Sequence, residues 1–506
     1  MSFKKFLRDT FLKLRIIFFK KKNYFLFSFF IFLSFFFFSL FLIYPNPSKE
    51  KVYKEGITEE VFILTPYLTN NETEKTISNI IYPSLFEFYN GDLISKFVEK
   101  YFWNKEENTL EIKIYDNLFW SDGEPLTTED IRFGLEFLKK FAPNEISKFF
   151  KDVEFKIIND KQGIFTYKNP NNFFLYNLKY LKPLPSKIFS KYSPNFKDFD
   201  LVKIGSGPFV LKEISNSDKK IIILEKNKKY KNPIFLEEVR FIYYPNQREL
   251  INGLINKEID GFFGFAYPDL TPGLKKRIKV YRIIMPRVIG LFFNKDKVKE
   301  EKIIESLNGL IDREKILKEI FQGEGEISYG IFSPSLRKRL KIEDLKIEKR
   351  EEKIPTTTFN IFTSKSYIYP DLARYLKEKY NLNYTLLNSE ELNNLIKNKD
   401  YEVILYGLNY SYPPELFYFW SQGGLNLNSF KNQFLEKKFS AILTNPQIDI
   451  FKENGEIEKE ILKEKANIFL INPYYLGILD KNIKGFDIVF LNEFNERFVK
   501  IENIKK

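Results

Sequence analysis

The chain has 506 residues, 80 Lys and Arg against 67 Asp and Glu, a formal net charge of +13, and neither cysteine nor histidine. A disulfide framework, a cysteine nucleophile, a zinc finger, a Ser-His-Asp triad and a lipid-attachment cysteine are therefore excluded, leaving enzymatic chemistry only to carboxylates, Lys, Tyr or Ser-Lys pairs. At about 150 residues per domain the length implies roughly three units.

Residues 1–23 form a basic segment: Lys4, Lys5, Arg8, Lys13, Arg15, Lys20, Lys21 and Lys22 stand against the single acid Asp9. Tyr24 to Tyr44 follow without a charge, and these 21 residues, at about 1.5 Å each, span roughly 30 Å of hydrocarbon. The expectation is a single transmembrane helix that anchors the chain in the cell membrane, N-terminus cytoplasmic and main domain extracytoplasmic. A cleaved signal peptide is the competing reading; the apolar run is long for one, and no A-x-A site follows. Phe3, Leu7, Phe11, Leu14 and Phe18 recur at helical spacing, fitting either a helix in the headgroup plane or an extension of the membrane helix. The first 22 residues account for +7 of the charge, and the +6 that remains comes with no nucleic-acid motif, so no nucleic-acid partner is expected.

Residues 45–58 read as a juxtamembrane linker, Val61 to Leu64 as the first strand, and Glu74 to Phe88 as a helix. Leu110, Ile112 and Ile114 alternate with Glu111, Lys113 and Tyr115 as a strand with one buried face. Ser121-Asp122-Gly123 breaks that strand, and Thr127 with Asp130 predicts a capped helix carrying Ile131, Leu135 and Leu138 on one face. At such a helix start Glu124, Glu129 and Asp130 serve the cap and the macrodipole and do not form a catalytic carboxylate pair. Further along, Asn246 to Ile255 reads as a helix. Arg337 to Lys353, with thirteen charges in seventeen positions, reads as a solvated excursion. Thr358 to Phe362, Tyr384 to Leu387 and Val403 to Tyr406 read as strands between helices at 371–380 and 389–397, which predicts a mainly parallel sheet; residues 461–470 read as helical.

Several islands in this order carry a family resemblance: Ile81-Tyr82-Pro83-Ser84-Leu85, the block Phe119 to Asp130, Gly205-Ser206-Gly207-Pro208-Phe209, Lys257-Glu258-Ile259-Asp260-Gly261, Phe293-Asn294 with Ile311-Asp312-Arg313, and Lys481 to Phe486. The chain resembles the extracytoplasmic solute-binding protein family 5, the oligopeptide-, dipeptide- and nickel-binding proteins of ABC importers. Lys257 stands where that family usually has Gly.

The resemblance implies an α/β, two-lobed periplasmic-binding-protein-like (class II) fold with an extra small domain. It divides the chain into lobe I (59–90, 198–280 and 471–506), the small second domain (91–197) and lobe II (281–470), with crossings near 281–287 and 470–480. It also implies a non-enzymatic, monomeric clamp without cofactor or metal, closing on a peptide or other small solute and delivering it to ABC permease subunits. A non-transport sensor or adhesion receptor, or a binder of a sugar or metal chelate, is the alternative.

For the site, peptide-binding relatives carry an Asp where this chain has Ser411, and that Asp pairs with the peptide amino group. A free N-terminus would here have to be met by Glu402, Glu415 or another acid, or is not met at all. Tyr410 and Tyr412 either line the pocket or pack as core. Phe265 and Tyr267 are placed for the opposite wall or pack as core. Arg287 and Asn294 lie near the predicted crossing, where Arg either binds a ligand carboxylate in bidentate fashion or stands as a surface residue.

Overall fold

The computed structural model describes residues 32–34, 51–190, 203–216, 219–265, 271–345 and 358–506. Two compact units divide the chain, residues 1–51 with Lys506, and Val52–Lys505. The membrane segment expected at Tyr24 to Tyr44 lies outside the described residues apart from the helical Phe32-Leu33-Ser34. Among the described residues no helix is long and apolar enough to cross a membrane.

The larger unit opens on β1 (Val52–Ile57) and α1 (Glu72–Ile81), followed by the hairpin β2 (Glu87–Tyr89) and β3 (Asp92–Ile94). A four-stranded sheet of β4 (Val98–Asn104), β5 (Thr109–Ile114), β6 (Val153–Asn159) and β7 (Gln162–Tyr167) builds the small domain, with α2 (Thr128–Phe141) against it. Then come β8 (Phe209–Asn216), β9 (Lys220–Lys226), β10 (Glu238–Tyr243), α3 (Gln247–Ile255), β11 (Gly261–Gly264) and β12 (Ile278–Ile283).

The second lobe holds β13 (Arg287–Phe293), α4 (Glu301–Leu310), α5 (Arg313–Glu319), β14 (Gly325–Ile327), α6 (Pro334–Leu340), β15 (Asn360–Ser364), α7 (Tyr369–Tyr380), β16 (Asn383–Leu387), α8 (Ser389–Asn398), β17 (Val403–Asn409), α9 (Gln433–Thr444), α10 (Ile450–Lys463) and β18 (Asn467–Pro473). Finally β19 (Tyr475–Asp480) returns to the first sheet, whose order is β12-β19-β11-β1-β10-β9-β8. The second sheet runs β14-β18-β13-β17-β15-β16. The chain thus passes between the sheets twice, at residues 284–286 and at Tyr474.

Local chemistry explains the block at 119–130. Gly123 takes φ +95°, which a Cβ would strain, and Thr127 and Asp130 form a reciprocal capping box on α2. The Gly205-Ser206-Gly207 run is packing, not a phosphate cradle: the Gly207 N–H donates to the Ile81 carbonyl at 2.9 Å, and a Cβ on Gly207 would collide with the carbonyl of Ile80. Lys257 sits at φ 61°, the left-handed region that glycine enters freely.

Five expectations are corrected. Residues 52–57, read as linker, form the central strand β1, whose Glu55 is 1% exposed and bonded to Arg497, 442 residues away; no local pattern reveals that. Val61 to Leu64 form no strand. Residues 467–473 are β18, not helix; every residue of that strand is buried, and a short apolar run of this kind fits either element by periodicity. Lobe II is a mixed sheet, because β13 carries the chain in and β18 carries it out through the same opening, so these neighbours run antiparallel. Within the charged run, Arg337 is buried in an ion pair with Glu458.

Hydrogen bonds also join lobe II to the small domain and to lobe I. The Asn172 N–H donates to the Leu443 carbonyl at 2.8 Å, and its amide to the carbonyls of Ile442 (3.0 Å) and Asn445 (2.7 Å). Arg339 Nη2 donates to the Asn90 carbonyl at 2.6 Å.

Candidate functional site

A cavity of about 460 Å³ opens at the end of β1, walled by lobe I and by one residue of lobe II. Lobe I supplies Glu55 to Glu59 at the end of β1, Glu72 at the start of α1, Phe262 to Phe265 on and after β11, and Tyr475, Phe494 and Arg497; Tyr367, between β15 and α7, comes from lobe II. Phe265 meets Tyr367, Tyr475 and Phe494 with ring centroids 5.4, 5.2 and 5.2 Å apart, so one aromatic cluster spans both lobes. Tyr367 holds φ 63°, a conformation that a bulky side chain occupies only when its surroundings impose it.

Beneath the aromatic wall lies a buried ion pair. Arg497 Nη2 donates to Glu55 Oε1 at 2.9 Å, and Nη1 to Thr76 Oγ1 (2.7 Å) and the Phe494 carbonyl (3.0 Å). Burial pushes the Glu55 carboxyl up, and Arg497 pulls it back only in part.

A smaller polar chamber of about 150 Å³ lies between α1 and residues 179–182. Lys179 pairs with Glu493 at 2.6 Å there, and Lys182 Nζ donates to Asn79 Oδ1 (2.6 Å) and the Tyr82 carbonyl (2.5 Å). Burial brings the Lys182 ammonium down to about 7; burial and the neighbouring Glu493 push Glu496 up to about 8. Across from Lys179, Glu415 projects from the segment after β17, half-buried; burial pushes its carboxyl up to about 7, with Lys179 and Lys148 pulling the other way.

A carboxyl raised on folding contributes its stability below the unfolded value and loses it as pH climbs through the folded one. Glu415→Gln is therefore expected to gain on the wild type as pH rises from 5 to 8, read as the difference in melting temperature at each pH. A pH-independent difference would contradict this.

The structure disposes of the expected site residues unequally. Phe265 lines the cavity, and the Arg287 guanidinium lies 4.6 Å above its ring. Tyr410 is core: its hydroxyl donates to the Ile331 carbonyl at 3.1 Å and its ring meets Phe332 edge-on. Tyr412 packs on Phe451 and Phe490, its backbone bonded both ways to the Asn492 amide. Ser411 turns its hydroxyl to the Pro413 carbonyl at 3.2 Å. Asn294 belongs to the far end of β13, roughly 23 Å of strand from Arg287, where it donates to the Lys399 carbonyl at 3.0 Å. Glu402 is at that end too, its carbonyl accepting from the Asn294 N–H, which removes it from the cleft. Tyr267 lies outside the described residues. Glu55, Tyr367, Phe494 and Arg497 were not foreseen, and no local motif marks them.

Comparison with known proteins decides the family. The profile of the bacterial extracellular solute-binding proteins, family 5 (Middle), matches residues 92–428. The chain belongs to this family. It is 21% identical over 485 residues to the probable D,D-dipeptide-binding periplasmic protein DdpA of Escherichia coli (strain K12), spanning 88% of this chain and 92% of DdpA. Among solved structures, the ABC transporter substrate-binding protein CtaP of Listeria monocytogenes superposes with TM-score 0.75 at 18% identity, over 90% of this chain and 99% of that one. NikZ of Campylobacter jejuni, in complex with Ni(L-His), gives TM-score 0.70 at 16% identity, over 90% and 100%. These structural likenesses establish the two-lobed solute-binding fold, and with the family they make this chain a solute-binding protein.

Proposed function

We propose that the protein is the substrate-binding subunit of an ABC importer, capturing a peptide or peptide-sized solute between its lobes and presenting it to the permease. The observation that carries this reading is the cavity lined by Phe265 from one lobe and Tyr367 from the other, whose touching rings bring both lobes to one opening that a solute can fill. The relatives' names point the same way: DdpA is described as D,D-dipeptide-binding, and AppA of Bacillus subtilis (strain 168), 26% identical over 237 residues, as oligopeptide-binding. Exposed backbone after β1 suits main-chain recognition with little demand on side-chain identity.

The single-pass anchor at Tyr24 to Tyr44 is part of this proposal and rests on the sequence: an uncharged run behind eight bases, with no cysteine for lipid attachment. A monomer is the expected working state. With Ser411 turned onto its own turn, a ligand ammonium falls to Glu415 or to the acidic lobe I rim at Glu59 and Glu72.

A thermal-shift screen of the full-length protein against peptide, sugar and metal-chelate libraries tests the reading, since a ligand of the native state must raise its melting temperature. A shift confined to peptides supports peptide import; a shift confined to chelates or sugars reassigns the solute.

A further inference from the structure

Helix α9 ends in lobe II at Thr444, and the last carbonyls of a helix have no partner within it. One is met locally, since the Asn445 N–H donates to the Ala441 carbonyl at 2.9 Å. The next two, at Ile442 and Leu443, are met from across the seam by a single residue, Asn172, which follows β7 of the small domain. Its amide nitrogen reaches the Asn445 carbonyl as well, and Asn172 is only 2% exposed. The next residue, Phe173, is buried in an apolar cluster built mostly from lobe II. Two residues past Asn445, the Gln447 amide donates to Glu106 Oε1 of the small domain at 2.8 Å, at the surface of the same seam.

The chain itself joins the two sheets only at residues 284–286 and Tyr474. The small domain hangs from lobe I, because the chain enters it from the β2–β3 hairpin and leaves it for β8. A rotation that parts lobe II from the rest must therefore break the bonds of Asn172 to α9. Exchanging one protein hydrogen bond for water costs little, so three of them resist opening without forbidding it.

We propose that Asn172 is a latch between the small domain and lobe II, a positioning residue that sets the open–closed equilibrium of the empty protein and with it how fast a solute is admitted. This rests on the reading that the solute enters between the lobes. Asn172 is not among the residues that line the cavity, so it acts on the populations of the two states and not on the solute.

The test uses the full-length protein carrying Lys156→Cys in the small domain and Glu378→Cys in lobe II. Both sites are exposed, and the chain has no other cysteine to label. Spin labels there report the interlobe distance distribution, first without solute and then with an equimolar mixture of free tripeptides. Without solute, Asn172→Ala is expected to raise the long-distance population about tenfold, since it removes the two amide bonds and keeps the backbone one. Asn172→Asp should raise it further, because a carboxylate oxygen would face the Ile442 and Asn445 carbonyls at the negative end of α9. Gln447→Ala, at an exposed position, should raise it about twofold. Melting temperatures report whether each variant folds; if the Asn172 variants do not, Gln447→Ala decides.

A purely structural Asn172 would lower the melting temperature and leave the distances of the folded protein unchanged, and distributions identical to wild type in every folded variant overturn the latch. A long-distance population that appears in the variants and collapses when tripeptides are added supports both the latch and peptide capture. One that appears and ignores the tripeptides supports the latch and overturns peptide capture.

Discussion

Glu458→Ala is expected to destabilise the protein by about 3–5 kcal/mol, among the largest losses a single substitution outside the cavity will produce. Glu458 lies on α10, 1% exposed, and its Oε1 accepts from the Ile331 N–H at 2.8 Å, the Phe332 N–H at 3.2 Å and Arg337 Nη2 at 2.5 Å. Truncation strands a guanidinium that is itself 3% exposed, together with two backbone amides. Glu458→Gln keeps an oxygen for the amides and removes only the charge, so its cost should be smaller, about 1–3 kcal/mol. Replacing both partners by Met should cost less than the single Ala change, because no buried charge is then left alone. Urea unfolding of the three variants checks the order; an Ala variant within 1 kcal/mol of wild type, on the same scale, would refute the assignment.

Arg497→Ala is expected to cost a similar ~3–5 kcal/mol and to weaken solute capture as well, since Arg497 both holds Glu55 and lines the cavity. Its loss has a pH signature. Burial raises the Glu55 carboxyl and Arg497 is the opposing charge, so without Arg497 the carboxyl rises further. A raised carboxyl is tolerated while protonated and becomes costly as pH climbs through its folded value. The variant should therefore lie closer to wild type at pH 5 than at pH 8, measured by urea unfolding at both. An equal gap at the two values would mean that Glu55 is not the group left exposed to the change.

What the sequence made legible is local. The turn at Gly123, the Thr127–Asp130 capping box and the helix cap at Asn246 are written in neighbouring residues, and each stands where that chemistry puts it. What it concealed depends on partners far along the chain. Strand β1 carries Lys54 and Glu55 in its middle and looks like linker, because the guanidinium that neutralises Glu55 is supplied by Arg497. Arg337 looks solvated for the same reason: Glu458 arrives from another helix. β18 is buried throughout, and its apolar stretch Ile468 to Ile471 has no period to read. At the site, Phe265 and Arg287 were named from their place near the strand ends, and the structure sets one on the other. Tyr410 and Tyr412 share that place yet turn inward, because Phe332 on one side and Phe490 on the other offer them apolar partners.

A solute is expected to occupy the cavity that Phe265 and Tyr367 line. Gly264 lines that cavity, and a Cβ there would meet nothing within 4 Å, so Gly264→Trp introduces a large side chain at the cavity wall without a clash at its first atom. Native mass spectrometry of the purified full-length protein, wild type beside Gly264→Trp, measures occupancy directly. The account predicts an added small-molecule mass on the wild type that is absent from the tryptophan variant, with both folded. An adduct of equal abundance on both would place the solute elsewhere and contradict it.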